Sequence, residues 1–215
     1  MHRSDVLKGW EPRWAQELYD RCAWFYDATR LFWTVRLAEL QLNSLFAERI
    51  GATSRVLELA PGTGVNVARL FDCAGDFKSY LGIDISSAML DRARGNARND
   101  PRIAFKLGDA TDLSNLDGTF DFVVSTWLLS HLPYPELTVG RVLKHLHPGG
   151  TATFLFFSHP DNRLLARLMT KCFHLFQCAP VDAEAICSLP HLEAMHRYRG
   201  GTSTLVIFRR PEETI

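Results

Sequence analysis

From about residue 55 onward the hydrophobic positions change rhythm repeatedly. Short apolar runs at RVLELA (55–60), SYLGIDI (79–85), IAFKLGDA (103–110), FDFVVSTWLL (120–129) and TATFLFF (151–157) have the length and composition of buried strands. Between them, GVNVARLFDCA, SSAMLDRARGNAR and PELTVGRVLKHL carry helical spacing, with Met89, Leu90 and Ala93 on one face. His147-Pro148-Gly149-Gly150 stops the last of these helices. Strands separated by helices of this length predict crossover units and a parallel sheet covered on both faces, a doubly wound α/β fold. The tail is different. DNRLLARLMTKCFHLF (161–176) predicts an amphipathic helix and VDAEAICSL a short one. LEAMHRYR and TSTLVIFRR then predict two closing strands, and Gly200-Gly201 between them suggests an antiparallel return. The expectation is a mostly parallel seven-stranded sheet.

Residues 1–50 hold Trp10, Trp14, Trp24 and Trp33, four of the five tryptophans. An aromatic helical arm of this kind reads either as core packing or as a lid over a site, and the division expected is a lid at 1–50 and a domain at 51–215. The whole chain, 215 residues with 47% apolar content, suits one folded unit. Lysine plus arginine equals aspartate plus glutamate at 24 each, which disfavours a polyanionic partner such as nucleic acid. No apolar run has the length of a membrane span, and the start, MHRSDVLKGWEPR, lacks a signal-peptide core. The five cysteines (Cys22, Cys73, Cys172, Cys178, Cys187) show no C-x-x-C pair, so neither a disulfide framework nor zinc is expected. These features predict a cytoplasmic protein with reduced thiols.

The chemistry concentrates at successive strand ends. Val56-Leu57-Glu58-Leu59-Ala60-Pro61-Gly62-Thr63-Gly64 leaves a strand, turns and enters a helix, and glycines there let a ligand approach the backbone. No Gly-Lys-Ser/Thr follows, which excludes a P-loop, and Val67 stands where a dinucleotide loop needs its third glycine. Glu58 lies beneath the loop, where a carboxylate repels phosphate and suits a cation. S-adenosylmethionine carries a sulfonium and an ammonium and no phosphate. Asp84, twenty residues beyond Gly64, stands at the spacing of an acid that accepts ribose hydroxyls. Asp109, in Gly108-Asp109-Ala110 at the next strand end, is placed to meet an adenine amino group. Three acids at three consecutive strand ends predict an S-adenosylmethionine site.

In order, LELAPGTG, GIDIS-SAMLDRAR, GDATDL, FDFVVSTWLLSHL and VLKHLHPGG make residues 53–157 resemble a class I S-adenosylmethionine-dependent methyltransferase, in the branch of ubiquinone/menaquinone and other small-molecule methyltransferases. The resemblance implies a Rossmann-like fold and assigns Glu58, Ala60, Pro61, Gly62, Thr63 and Gly64 to the methionine portion. It implies that Asp84 binds the ribose, that Ile85 and Met89 flank adenine, and that Asp109 and Ala110 meet its polar edge. Ser125, Thr126 and Trp127 would lie beside the methyl donor, and Tyr26 would close over the cofactor. Ala60 departs from the family, which has glycine at this position.

Ser125-Thr126-Trp127-Leu128-Leu129-Ser130-His131 follows the fourth strand, where such enzymes face the transferring methyl. The Asp/Asn-Pro-Pro-aromatic sequence of nucleobase amine methyltransferases is absent, and no carboxylate occurs before Glu136, so no metal is expected. His131 and His159 are the candidate bases; each also reads as an ordinary loop histidine. Trp127, Phe156, Phe157, Leu164, Leu168 and Phe173 read equally as an acceptor pocket or as core. Arg163, Arg167 and Lys171 form a basic stripe on the predicted helix at 161–176, which reads as a solvated face, a substrate cap, a dimer surface or a membrane contact. The expected reaction is methyl transfer to O, N or C of a small, partly apolar metabolite, with no stable membrane insertion and a homodimer as a further option. A protein or RNA methyltransferase, and a methyltransferase fold that uses the cofactor without methylating, remain the alternatives.

Overall fold

The computed structural model describes residues 12–24, 26–27, 35–162 and 178–213. Its strands are β1 (Arg55–Leu59), β2 (Ser79–Asp84), β3 (Ile103–Leu107), β4 (Phe120–Thr126), β5 (Leu146–Phe157), β6 (Leu192–Tyr198) and β7 (Ser203–Arg209). The helices are α1 (Pro12–Cys22), α2 (Arg36–Arg49), α3 (Val65–Cys73), α4 (Ser87–Asn96), α5 (Pro135–Lys144) and α6 (Ala183–Cys187). The strands form one seven-stranded sheet in the order β3-β2-β1-β4-β5-β7-β6. β1 to β5 run parallel and β7 returns antiparallel between β5 and β6, as the Gly200-Gly201 turn suggests. Among the described residues, no helix is long and apolar enough to cross a membrane.

Strand side chains alternate with a period of two, so the near-continuous apolar runs feed both faces of the sheet. Leu57, Leu59, Val123, Phe154, Phe156, Val206 and Phe208 fall on one face with Val139 and Val142 of α5 and Ile186 of α6. Val56, Phe122, Val124, Leu155, Leu205 and Ile207 fall on the other with Leu42 and Phe46 of α2 and Val67 and Leu70 of α3. Phe156 is thus core. The edge strand β6 shows alternating exposure, as expected for a strand with one solvated face.

Two findings modify the sequence reading. β5 begins at Leu146, five residues before the predicted run, because Leu146 already pairs with Phe120 before the register shifts and Thr151 pairs with Phe122. The shift needs glycine at 150: a Cβ there would lie 2.8 Å from the His147 carbonyl oxygen and 3.1 Å from that of Phe120. The second concerns the aromatic arm. Its end, α2, is core: Ala38, Leu42 and Phe46 are fully buried, and the Phe46 ring meets Phe122 edge-on at 5.1 Å. α1 instead lies over the carboxyl ends of the strands, with its Trp14 exposed, as is Trp24 in the turn that follows. Trp10 and Trp33, and Arg163, Arg167, Lys171, Leu164, Leu168 and Phe173 of the predicted helix at 161–176, lie outside the described residues.

The two parts of the arm are expected to respond differently to truncation. Phe46→Ala is expected to cost roughly 3–5 kcal/mol, whereas Trp14→Ala, at 51% exposure, should stay within about 0.5 kcal/mol of the parent. Urea titrations of the two variants check this.

Candidate functional site

The sheet order reverses between β1 and β4, and in open α/β sheets a crevice opens at that point beyond the strand ends. A cleft partly open to solvent lies there. Its walls are Ala60 and Gly62 after β1, Asp84, Ile85 and Met89 after β2, Asp109, Ala110 and Thr111 after β3, and Thr126, Trp127, Leu128, His131 and Leu132 after β4. Ala15, Tyr19 and Tyr26 of the arm cover it. A second recess shares Tyr26, Ala60, Gly62, Thr126 and Trp127 and extends to Pro61, Thr63, Asn66, Glu39 and Arg69.

Asp84 is nearly buried, and each of its oxygens accepts a backbone N–H at 3.0 Å, from Gly62 to Oδ2 and from Ser86 to Oδ1. Burial raises its pKa, while the N–H groups of Ser86, Gly62 and Ile85 pull the other way. A carboxylate oxygen has two acceptor sites, so both oxygens keep capacity for ligand hydroxyls on the cleft side. Asp109 accepts the Thr111 N–H at 2.8 Å and keeps the next turn tight. Ser86 caps α4 by accepting the Met89 N–H at 3.1 Å, which seats the Met89 side chain against the cleft wall.

Glu58 is completely buried and faces the protein rather than the cleft. Its Oε1 accepts from Asn66 Nδ2 at 2.6 Å and its Oε2 from the Tyr80 hydroxyl. Asn66 in turn accepts from Arg69, which also bonds Asn43 and Glu39 of α2 and stacks over Phe46. Burial pushes Glu58 up to about 7, against the pull of Tyr80 and Asn66, with the Asp84 charge adding to the rise. Gly64, Ser125 and His159 are likewise not among the cleft-lining residues. Gly64 turns at φ +83°, and a Cβ there would stand 2.8 Å from the Ala93 backbone, so its glycine serves the packing of α3 on α4. Ser125 Oγ donates to the Leu59 carbonyl at 2.9 Å and ties β4 to β1. His159 is exposed beyond the end of β5, and its carbonyl accepts from Arg197.

Several residues of the arm complete the site without having stood out in the sequence. Asp20 Oδ1 accepts from Ser86 Oγ at 2.5 Å and from the Ala88 N–H at 3.3 Å, at the positive end of α4. Asp27 Oδ1 accepts from Thr63 Oγ1 at 2.7 Å, and its Oδ2 accepts from Arg92. The arm therefore clasps both the glycine loop and the helix that follows β2. The Tyr19 hydroxyl reaches His131 Nε2 at 2.8 Å. The available signal was a repeated Tyr-Asp pair, at 19–20 and 26–27, seven residues apart.

This fold and cleft define an α/β enzyme whose strand-end acids suit an adenosine-bearing, cationic cosubstrate. A family model described as a methyltransferase domain matches residues 56–150. A demethylmenaquinone methyltransferase of Clavibacter sepedonicus is 31% identical over 168 residues, covering 78% of this chain and 66% of that protein. Its namesake from Mycolicibacterium vanbaalenii is 30% identical over 198 residues, covering 88% of this chain and 78% of that protein. The N-methyltransferase NodS of Bradyrhizobium japonicum, solved with S-adenosylhomocysteine, superposes with a TM-score of 0.66 at 20% identity over 92% of this chain and 99% of that one. The chain belongs to the class I S-adenosylmethionine-dependent methyltransferases, and S-adenosylmethionine is its cofactor.

The raised Glu58 carries a pH signature. The native state holds a proton there that the unfolded chain releases near its ordinary value of 4.5. Its contribution to stability therefore falls as pH rises from about 4.5 through 7, the reverse of an ion-paired carboxylate, and Asp84 adds in the same sense. Glu58→Gln keeps both hydrogen-bond positions and removes the titration. Between pH 5 and 8 it should lose less stability than the parent, by up to roughly 3 kcal/mol, as read by denaturant titration at the two pH values.

Proposed function

We propose that this enzyme transfers the methyl group of S-adenosylmethionine to a small, partly apolar acceptor bearing a ring hydroxyl, at its oxygen or at the carbon that hydroxyl activates. The observation that carries the reading is the composition of one continuous cleft. Asp84 and Asp109 stand at one side of the sheet's reversal, and Trp127, Leu128, Leu132 and His131 stand at the other. The names of the two similar quinone methyltransferases support a ring acceptor of this kind.

In this reading Asp84 accepts the ribose hydroxyls, Ile85 and Met89 flank the adenine, and Asp109 with Ala110 meets its polar edge. Ala60, Pro61, Gly62 and Thr63 border the methionine portion, with Tyr26 closing over it. Thr126 and Trp127 stand beside the methyl group. Gly64 and Ser125 support these positions by shaping the backbone. Glu58 acts from beneath the loop by holding Asn66 and Tyr80 rather than by contact with the ligand, and the second recess supplies Glu39 and Arg69 near the loop. The cofactor supplies an electrophilic methyl on a cationic sulfur, so the protein's tasks are to hold the nucleophile in line, to exclude water and to remove a proton. His131 is the base in the cleft. His159, exposed and apart from it, takes no part.

Calorimetric titration of the purified protein tests the cofactor site. S-adenosylmethionine and S-adenosylhomocysteine should bind with micromolar affinity and NAD should not. Asp84→Ala, verified as folded by circular dichroism, should weaken both by about 10- to 100-fold, as the loss of a charged hydrogen-bond acceptor implies. Binding of neither sulfur compound by the parent would sink the reading. The acceptor is tested with 1,4-naphthalenediol, following formation of S-adenosylhomocysteine and of the methylated diol.

A further inference from the structure

Tyr19 and His131 reach the cleft from opposite sides, the first from α1 and the second from the 3-10 turn Leu128–His131 after β4. The Tyr19 hydroxyl lies 2.8 Å from His131 Nε2, and the two rings meet edge-on with centroids 5.5 Å apart. Both line the same space as Trp127, Leu128 and Leu132. The phenol occupies Nε2, so an acceptor hydroxyl bonded to the Tyr19 oxygen is joined through it to that ring nitrogen.

The phenol is held in place from both sides. Asp20, the next residue, is bonded to Ser86 Oγ and the Ala88 N–H, and the Tyr26 ring stands edge-on at 5.9 Å. The titratable groups facing it are Tyr26 and Cys22 of the arm, Cys178 before α6, and Asp84 at the end of β2. Burial, with smaller contributions from these groups, raises the Tyr19 pKa well above the ordinary value of 10.0. Tyr19 therefore stays a neutral phenol at working pH, able to donate to one partner while accepting from another.

We propose that Tyr19 is a catalytic residue that relays the acceptor's hydroxyl proton to His131, so that the base is complete only when the arm lies on the cleft. The proposal rests on the reading of this cleft as the site of methyl transfer to a hydroxyl-bearing acceptor. The acceptor's O–H proton passes to Tyr19 Oη as the proton already on Tyr19 passes to His131 Nε2, leaving Tyr19 neutral and His131 an imidazolium. The electron pair freed on the acceptor bonds to the methyl group while the methyl–sulfur bond breaks, its pair remaining on sulfur. One positive charge is lost at sulfur and one is gained at His131, which returns its proton to water.

Tyr19→Phe separates this role from simple packing, because it keeps the ring and removes only the relay oxygen. With 1,4-naphthalenediol at pH 7 the variant should lose about 100-fold in kcat, at the lower end of the range for general acid–base catalysis. Its calorimetric affinity for S-adenosylmethionine should change less than about threefold, since the lost hydroxyl bonds His131. The deficit should shrink toward pH 10, where a phenolic acceptor ionises unaided. A second readout needs no turnover. Nitrogen–proton correlation spectra should place the neutral His131 proton on Nδ1 in the parent and shift it toward Nε2 in Tyr19→Phe. A variant as active as the parent, or a deficit constant across pH with the His131 tautomer unchanged, would overturn the relay alone. A parent that binds S-adenosylmethionine yet methylates no hydroxyl acceptor would overturn the acceptor reading and the relay with it.

Discussion

Asp84 takes a backbone N–H from each of two turns, Gly62 after β1 and Ser86 after β2, both at 3.0 Å. That carboxylate fixes the glycine loop against the start of α4, and the cleft wall on this side follows from it. The Ala60 N–H, donating to the Ile83 carbonyl at 2.8 Å, extends the same join one residue back into the sheet. Burying a carboxylate is costly, and the upward pull on its pKa shows that the cost is only partly offset by the donors around it. A buried acid with unused acceptor sites at a strand end is well suited to neutral donors such as ribose hydroxyls. The same residue thus organises the loop and presents the binding group.

A second buried chain supports the loop from below. It runs from Tyr80 and Glu58 in the sheet through Asn66 and Arg69 of α3 to Glu39 and Asn43 of α2. Partly satisfied buried networks destabilise, whereas connected ones specify a single arrangement, so this chain ties the position of α2 to that of the glycine loop. The arm then adds Asp20 on α4 and Asp27 on Thr63 and Arg92. The Asp27–Arg92 pair is exposed and contributes little stability. The arm is thus held over the cleft by a few polar contacts, most of them to the turn and helix that follow β2.

The parallel sheet was legible because its inner strands β1, β4 and β5 are buried on both faces and read as apolar runs, and the antiparallel return was legible from Gly200-Gly201. The strand-end acids Asp84 and Asp109 were legible because crossover topology sends each strand's carboxyl end to the same edge. Glu58 was correctly placed beneath the loop, yet its contacts were not, since spacing says nothing of Asn66 and Tyr80 as competing donors. Ser125 illustrates the period-two limit: one residue from Thr126, it points the opposite way, into the β1 backbone. α2 was grouped with the lid because its buried face packs against β4 and β7, and those contacts are remote in sequence. Tyr19 was missed for the same reason, because its partner lies 112 residues away.

Ala60 and Trp127 share a constraint that explains why there is a cleft to fill. Both adopt left-handed backbone angles, at φ +56° and +72°, and both line the site just beyond neighbouring strands β1 and β4. Such angles cost a residue with a side chain roughly 1–2 kcal/mol. Ala60 meets this cost with the smallest side chain after glycine, which is why it can stand where the family has glycine. Trp127 meets it with compensating contacts: its N–H donates to the Leu155 carbonyl at 2.6 Å, its carbonyl accepts from Ser130, and its ring lies 4.6 Å from Phe157. Had either strand continued in extended geometry, its next side chains would run into the space between the two crossovers. The reversals end β1 and β4 abruptly, set the Trp127 ring along the wall and carry His131 back into the cleft. Backbone strain at these two positions is thus a condition of the pocket, supported by the buried sheet beneath it.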